Sequence, residues 1–395
     1  MMARITDTRP AALTAQEPSL TRLPRPALRQ AARALPGHAR SYNLALVLQT
    51  LYRSGELSRA DLARELGFTR VTASDLVGEL ITSGYVVELG HREESRPGKP
   101  AMLVDINREG LQIVSLDLAE HQVFRGALMD LDGNILDRCE VPHKASRGEE
   151  CIREVVGLLR RTVDLATAPL LGVGVGSPGI VDPSGVVQSA PNLGWFNVDL
   201  RRILAEACEV PVTVVNDANA AVLAEISFSS ADDDLMLIKV GHGVGSGLVV
   251  GGRLLLGSRY AAGEIGHVTV GTDGGAQCAC GKTGCLETWL SVPNLEAAAA
   301  GGDAGTRERV LSEAGQRLGI ALAPIVGALN LSEVVLSGPL NLLGGTLLEA
   351  AAVTLRKRTL DEFHSDVTFR MTTQGQDIVL RGAAVMVLSE QLGVA

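Results

Sequence analysis

The sequence predicts an α/β protein preceded by a small, mostly helical unit, and three observations carry that reading. From about residue 110 onward strands alternate with helices, which argues for a mixed α/β domain large enough for two lobes. Residues 41–106 read instead as helix, short helix, tight turn, helix and then two strands. The 395-residue length suits two or three units, and the 3% aromatic content fits close layers of Ala, Gly, Leu and Val.

In the front unit, Leu44, Val47, Leu48 and Leu51 recur at i, i+3, i+4 and i+7, one apolar helical stripe that ends near Ser54-Gly55. Ser58 followed by Asp61 forms a capping pair for a short helix, SRADLARELG, whose Leu62 and Leu66 face inward. Gly67 ends it. Thr69 opens a third helix with Ala73, Leu76, Val77 and Leu80 as its buried stripe, and Gly84 stops it. YVVEL and AMLVDI, on either side of HREESRPGKP, read as two strands with a turn-rich tip. Order, lengths and wing together describe a winged helix-turn-helix, which sets the first residues of its third helix against base edges. Those residues are Thr69, Arg70, Thr72 and Ser74, and Arg70 has the fork for a bidentate contact to guanine. Asp75, on the same exposed side, repels phosphates; it either accepts from a cytosine amino group or pairs with Arg70. Arg96 and Lys99 in the wing are expected to reach phosphates or the minor groove.

Charge follows the same division. The net charge is −9, yet residues 1–100 carry 14 Lys and Arg against 10 Asp and Glu, a net +4, which leaves −13 for the remainder. A basic front on an acidic body fits nucleic acid bound at one end only. Residues 1–40 hold Pro and Arg in a polar setting without a long apolar face and read as a disordered arm. No run of about eighteen apolar residues occurs, which argues against a membrane span. The N-terminal stretch lacks the apolar core of a signal peptide, so a cytoplasmic location is expected. Six cysteines in this length make no disulfide scaffold, and the scattered Cys139, Cys151 and Cys208 read as buried apolar thiols.

In the α/β region, LQIVSLDL and FRGALMDLDGNIL read as paired strands with an Asp-Gly turn, and ECIREVVGLLRRTVDLA as an amphipathic helix. VPVTVVNDANAAVLAEI is a strand, then Asn216-Asp217, then a helix that Asp217 is placed to cap. Ligands in open α/β sheets gather at the carboxyl ends of strands. SPGIVD (177–182), NDAN (216–219) and GHGVGSG (241–247) fall at such ends. The glycines of the last admit either a phosphate against backbone N–H groups or a tight hairpin. The final third is helical around one strand, EVVLSG.

GEIGH (263–267) supplies Glu264 and His267, and eleven residues further on Cys278-x-Cys280-x4-Cys285 begins. Three thiolates with one imidazole are the donor set of a tetrahedral structural zinc. A thioredoxin-type pair would need Cys-x-x-Cys at a helix start, and a DNA-reading finger a compact ββα unit; the sequence has neither.

With SPGIVD, SAPNLGW, NDANAAVLAE, GHGVGSGLVV, GEIGHV and CACGKTGCLE in this order, the chain resembles the ROK family of repressors, open reading frames and sugar kinases, in its transcription-regulator branch, over about residues 41–390. The resemblance implies a two-lobed, actin-like ATPase (ribonuclease H-like) fold with a sugar cleft between the lobes, usually dimeric or larger. It implies a winged helix-turn-helix over 41–106 and a ROK domain over 107–395. Lobe one would span about 107–218 plus the C-terminal helix, and lobe two about 219–375. It further implies that Asn216 and Asp217 bind sugar hydroxyls, Asp217 matching the catalytic base of kinase members. Glu264, His267 and Glu287 are then the other hydroxyl ligands, with one ring nitrogen of His267 on zinc and the other toward the sugar.

Two departures bear on catalysis. Kinase members carry Asp-x-Gly-Gly-Thr, whereas here Asp117 is followed by Leu118, Ala119 and Glu120. Such side chains block backbone approach to a phosphate, and Glu120 repels it. SGPL (337–340) replaces a double glycine near the adenosine-binding end. The expectation is therefore a DNA-binding regulator without kinase activity, a repressor of carbohydrate genes with one structural zinc per chain. Its partners would be double-stranded operator DNA, a second or further copies of itself as homodimer or homotetramer, and a mono- or disaccharide or sugar phosphate that shifts the lobes. The rivals are an ATP-dependent sugar kinase with an accessory DNA-binding domain, and a regulator whose cleft no longer binds sugar.

Overall fold

The computed structural model describes residues 36–91, 101–229, 231–270 and 275–393, and Asn43–Ala395 pack as one compact unit. Helix α1 (Pro36–Ser54) begins five residues before the expected start. Pro36 occupies the first helical position, where its fixed φ suits the helix and its missing N–H leaves nothing unpaired. Residues 36–40 are thus helical rather than part of an arm, and the rest of that expected arm lies outside the described residues. No described helix is long and apolar enough to cross a membrane.

Strand β1 (Leu57–Ser58) leads into α2 (Arg59–Glu65), where the Asp61 N–H donates to Ser58 Oγ at 3.1 Å and the Ser58 N–H to Asp61 Oδ2 at 3.3 Å. Helix α3 (Arg70–Thr82) is capped by Thr69, whose hydroxyl accepts from the Thr72 N–H at 3.1 Å. Ala73, Leu76, Val77, Leu80 and Leu62 are buried as the spacing requires, and Leu66 is half-buried against the same core. Strands β2 (Val86–His91) and β3 (Met102–Ile106) pair antiparallel, with β1 on the far edge of β3. The wing tip, with Arg96 and Lys99, lies outside the described residues.

Lobe one follows at once. Strands β4 (Gln112–Asp117), β5 (Val123–Met129) and β6 (Ile135–Pro142) form an antiparallel meander, then come α4 (Gly148–Val163) and β7 (Leu170–Ser177). A small sheet of β8 (Ile180–Val181), β9 (Val186–Ala190) and β10 (Trp195–Asp199) precedes α5 (Leu200–Cys208), β11 (Val212–Asn216) and α6 (Asp217–Phe228). The main sheet has order β11-β7-β4-β5-β6, with β7 parallel to both neighbours. The Asp132-Gly133 turn, with Gly133 at φ +78°, joins β5 to β6. The stretch read around the Asp-Gly turn ends at Leu136, whereas β6 runs on to Pro142; this largely exposed edge strand, ILDRCEVP, carries no apolar run.

Lobe two repeats the plan with β12 (Leu235–Val240), β13 (Val244–Val250), β14 (Arg253–Leu254), α7 (Glu287–Leu290), α8 (Val292–Ala299), α9 (Ala304–Leu329), β15 (Glu333–Ser337), α10 (Leu340–Leu343), α11 (Thr346–Arg356), α12 (Asp361–His364) and β16 (Thr368–Met371). Its sheet order is β14-β13-β12-β15-β16. Helix α13 (Ile378–Leu392) then returns to lobe one, lying on β4, β7 and β11 and against α6. The approach is close enough that a Cβ at Gly382 would enter the Ala220 backbone, and one at Gly174 the Ala383 backbone.

The front unit does not close its own core. Val47, Leu48 and Leu51 of α1 and Leu76 and Leu80 of α3 pack in one cluster with Ile113, Ala127 and Met129 of the lobe-one sheet and Leu380, Leu388 and Leu392 of α13. Polar contacts reinforce it: Tyr52 donates its hydroxyl hydrogen to Leu131 O at 3.0 Å, and the Arg108 guanidinium lies 5.1 Å over the Tyr52 ring while pairing with Asp132. The link from β3 to β4 is tied down as well, since the Asn107 amide donates to Gly84 O at 2.9 Å and accepts from the Gly110 N–H at 3.1 Å. The junction at 106/107 marks a change of architecture and not a gap in packing.

Candidate functional site

Three surfaces carry the residues singled out by sequence. On α3, Thr69, Arg70, Ser74 and Asp75 are exposed and Thr72 is half-buried. The Thr69 and Thr72 hydroxyls lie 2.9 Å apart and serve the cap as well as the surface. Arg70 and Asp75 form no ion pair with each other, which removes one of the two roles expected of Asp75. Five residues apart on a helix, their side chains point about 140° apart. Val71 was missed: it falls off the buried stripe, stands 70% exposed and offers an apolar surface of the kind that meets a thymine methyl.

The second surface is the cleft between the lobes. Strand β11 ends at Asn216, and α6 starts with Asp217. Asn216, not Asp217, caps the helix: its Oδ1 accepts from the Asn219 N–H at 3.0 Å, while its Nδ2 donates to Gly179 O at 2.8 Å and to Asp217 Oδ1 at 3.2 Å. The β/extended backbone of Asn216 is the conformation a cap needs, and Asp217 is already helical. Asn216 thus ties its amide to the Gly179 carbonyl and to Asp217 at once, which helps to position Asp217. The other oxygen of Asp217 faces Lys239 of β12, Nζ to Oδ2 3.1 Å, and both side chains are only 16% exposed. Sequence reading passed over Lys239 because it sits inside an apolar strand, LMLIKV, where alternation hides one polar residue.

Asp117, at the end of β4, is buried beside this pair. Burial pushes its carboxyl up to about 6; the Lys239 ammonium and the Ala119 N–H oppose the rise, and Asp217 and Glu120 add to it. Burial alone would lower Lys239, but Asp217 and Asp117 together hold it above the ordinary lysine value. Leu118 is buried in the lobe-one core, while Ala119 and Glu120 carry side chains at the two glycine positions of Asp-x-Gly-Gly-Thr; Glu120 is exposed and its Oε1 lies 3.7 Å from Arg125 Nη1. Across the cleft mouth His121 of lobe one stacks on His242 of lobe two, ring centroids 3.9 Å apart and planes within 10°.

The glycine loop resolves in favour of the hairpin. The Gly241 N–H is spent on Gly243 O at 2.9 Å, and β12 and β13 pair directly across it. Gly247 has no room for a side chain because α6 lies against it at Ala218 and Val222. At the far side, a Cβ on Gly338 of SGPL would enter Val240 O, so this glycine serves packing of β15 against β12.

The third surface is the wall of lobe two. His267, Cys278, Cys280 and Cys285 bring one ligand atom each to within 4.8 Å of one another. Cys278 Sγ lies 3.6 Å from His267 Nδ1, and Cys280 Sγ 3.6 Å from Cys285 Sγ. Metal–sulfur bonds of about 2.3 Å and a metal–nitrogen bond of about 2.1 Å give a tetrahedron with edges of roughly 3.6–3.8 Å, so these spacings fit a four-coordinate ion. Burial raises the Cys278 and Cys285 thiols, a cost that a dication reverses by deprotonating its ligands. Of the three other cysteines, Cys151 is buried as expected and Cys139 and Cys208 are half-buried.

This group is braced to the cleft. Glu287 Oε2 accepts from the Val244 N–H at 3.1 Å, and its Oε1 lies 3.7 Å from Cys278 Sγ, which joins the cysteine loop to the start of β13. Two residues on, Trp289 receives the Arg317 guanidinium of α9 at 4.6 Å, and Arg317 donates to Val270 O at 2.8 Å. Glu264 is exposed to the cleft. Surrounding protein raises its carboxyl, Asp217 and Glu287 adding and His267 opposing, so these four groups share one neighbourhood. The structure therefore gathers Asp217, Glu264, His267 and Glu287 around one space, with Asn216 behind Asp217.

The sequence model of the ROK family matches residues 114–390, and that of the MarR family residues 45–97. The xylose repressor of Caldicellulosiruptor bescii is 28% identical over 387 residues, 89% of this chain and 96% of that one. The glucokinase of Halalkalibacterium halodurans is 30% identical over 302 residues, 67% of this chain and 92% of its own. Among solved structures, a ROK family transcriptional regulator, a homolog of the E. coli MLC protein, superposes with a TM-score of 0.78 at 25% identity over 90% of this chain and 97% of that one.

Proposed function

This chain belongs to the ROK family, and we propose that it is a DNA-binding repressor of carbohydrate genes whose hold on its operator is set by a sugar in the cleft. One observation carries the reading: the reading head and the cleft share rigid elements. Asp217 is the first residue of α6, α6 packs on α13, and α13 shares a hydrophobic core with α1 and α3. A ligand that changes the lobe angle therefore acts on the orientation of α3 without crossing a flexible linker. Differential affinity for two lobe positions is all that the switch needs.

In this reading Asp217, Glu264 and Glu287 accept from sugar hydroxyls, and Asn216 orients Asp217. Zinc held by Cys278, Cys280, Cys285 and His267 Nδ1 would fix the wall and leave His267 Nε2 for the sugar. Asp117, Glu120, Asp217, Glu264 and Glu287 stand around the space against Lys239 and the Arg125 that pairs with Glu120, a net negative field that favours an uncharged sugar over a sugar phosphate. On α3, Thr69, Arg70, Val71, Thr72 and Ser74 read bases, and wing residues Arg96 and Lys99 contact phosphates. A twofold homodimer or a tetramer of it would match a palindromic operator. The whole-length relative named as a xylose repressor and the regulator structure support repression over phosphoryl transfer, as do Ala119 and Glu120 in place of the two glycines after Asp117.

The deciding experiment is fluorescence anisotropy on the DNA upstream of the protein's own gene, at fixed salt, with D-xylose, D-glucose and other aldoses added in turn. Saturable binding that one sugar shifts by about tenfold or more is expected. Sugar-dependent ADP release that Asp217→Asn abolishes would replace this reading with the kinase. DNA binding indifferent to every sugar, with no thermal shift by any, would leave a regulator with a vestigial cleft.

A further inference from the structure

Lys239 has no counterpart among the motifs that define the cleft, and its position is unusual for a lysine. It projects from a strand whose other side chains are almost all buried, with its ammonium 3.1 Å from Asp217 Oδ2 and within range of the buried Asp117 carboxyl. Asp117 comes from the end of β4 in lobe one, Asp217 from the end of β11, and Lys239 from β12 in lobe two. Glu120 adds a third negative charge nearby. Asp117 is 1% exposed, and β4 and β11, which end at Asp117 and Asn216, flank β7 on either side. Carboxylates held this near one another away from water call for a cation, because without one their charge is uncompensated. In phosphoryl transfer that cation is a hard divalent ion that also bridges the phosphates. Such an ion needs carboxylate oxygens at about 2.1 Å and open coordination positions for water or phosphate. An ammonium on an Asp217 oxygen opposes both, since it occupies that acceptor and repels the ion.

We propose that Lys239 is a built-in counter-ion that takes the place of a hard divalent cation between Asp117 and Asp217, so that the cleft receives its ligand without Mg2+ or nucleotide. The ammonium also fixes the direction of one Asp217 oxygen, while Asn216 Nδ2 holds the other, so the carboxylate is aimed from both sides. The inference deepens the reading of the cleft as a site that binds and does not transfer phosphate. Its test uses neither sugar nor DNA, so the two stand or fall separately.

The test is Mn2+ titration of zinc-loaded protein, followed by the loss of the free-ion EPR signal and by calorimetry. Wild type is expected to show no saturable Mn2+ site that depends on Asp117. Lys239→Met removes the ammonium but keeps the apolar stem; it should take up one Mn2+ at least ~10-fold more tightly than wild type, and the added Asp117→Asn should return it to the wild-type level. Far-UV circular dichroism confirms that the variant is folded, and Lys239→Gln serves if Lys239→Met is not. A folded variant that takes up no Mn2+ overturns the proposal. So does a saturable site in wild type that Asp117→Asn abolishes, a measurement that needs no lysine variant at all.

Discussion

The two walls of the cleft are built in opposite ways. The lobe-two wall is braced from several sides: three cysteines and His267 converge, Glu287 ties the cysteine loop to β13, and Trp289 anchors it on Arg317. The wall at Asp117 has no such brace. There Leu118 turns into the lobe-one core, Glu120 turns outward to Arg125, and the buried Asp117 carboxyl feels the Lys239 ammonium of the other lobe. On the proposed function, the braced wall holds directional acceptors rigid for a polyol, and the wall at Asp117 is relieved of carrying phosphate. Recognition and catalysis would then separate within one cleft.

The strongest way to break the comparison is to remove the brace. Cys280→Ser should reduce bound zinc from about one per chain toward zero and lower stability by more than about 4 kcal/mol, the range of lost structural metals. Metal analysis and thermal melts check this, and the wing and α3 should keep their DNA contacts until the melt begins. Asp217→Asn comes next. It strands a largely buried lysine, so a loss of about 3 kcal/mol is expected together with the loss of any sugar-induced thermal shift, zinc content staying unchanged.

The wall at Asp117 gives a pH signature. Asp117 titrates near 6 in the folded protein against an ordinary 3.8. Between about pH 4 and 6 the folded state therefore keeps a proton that the unfolded chain releases, and stability falls as pH rises through that window. Asp117→Asn should match wild type near pH 4 and exceed it at pH 7 by on the order of 2–3 kcal/mol, read from urea melts at both pH values. The smallest effect lies outside the cleft altogether. Arg70→Ala should cost about 1–3 kcal/mol of operator binding and relax the preference at one base pair, while leaving melts and any sugar response untouched.

Much of this was legible in the sequence, and the omissions share a cause. The front unit was readable almost residue by residue, because caps and apolar stripes are local: Ser58 with Asp61, Thr69, and the Ala73-Leu76-Val77-Leu80 stripe all stand where spacing puts them. The metal group was readable because its donors are rare residue types closely spaced. Lys239 and Val71 were not, since each is one residue out of character in an otherwise regular element and means something only through its neighbours in space. The exchange of capping roles between Asn216 and Asp217 belongs with them, as adjacent residues that can both cap differ only in backbone conformation. Edge strand β6 beyond Leu136 escaped because exposure removes the alternation by which strands are recognised.

The core shared by α1, α3, the lobe-one sheet and α13 has a consequence for anyone who would take the molecule apart. There is no severable head. A fragment ending at Ile106 would turn Val47, Leu48 and Leu51 toward water, and a body starting at Asn107 would do the same with Leu380, Leu388 and Leu392. Limited proteolysis should find no easy cut in the tied-down turn at Asn107–Gly110. A chimera that exchanges DNA preferences must therefore carry its own version of the α13 surface, and the two ends of the chain have to be designed as a pair.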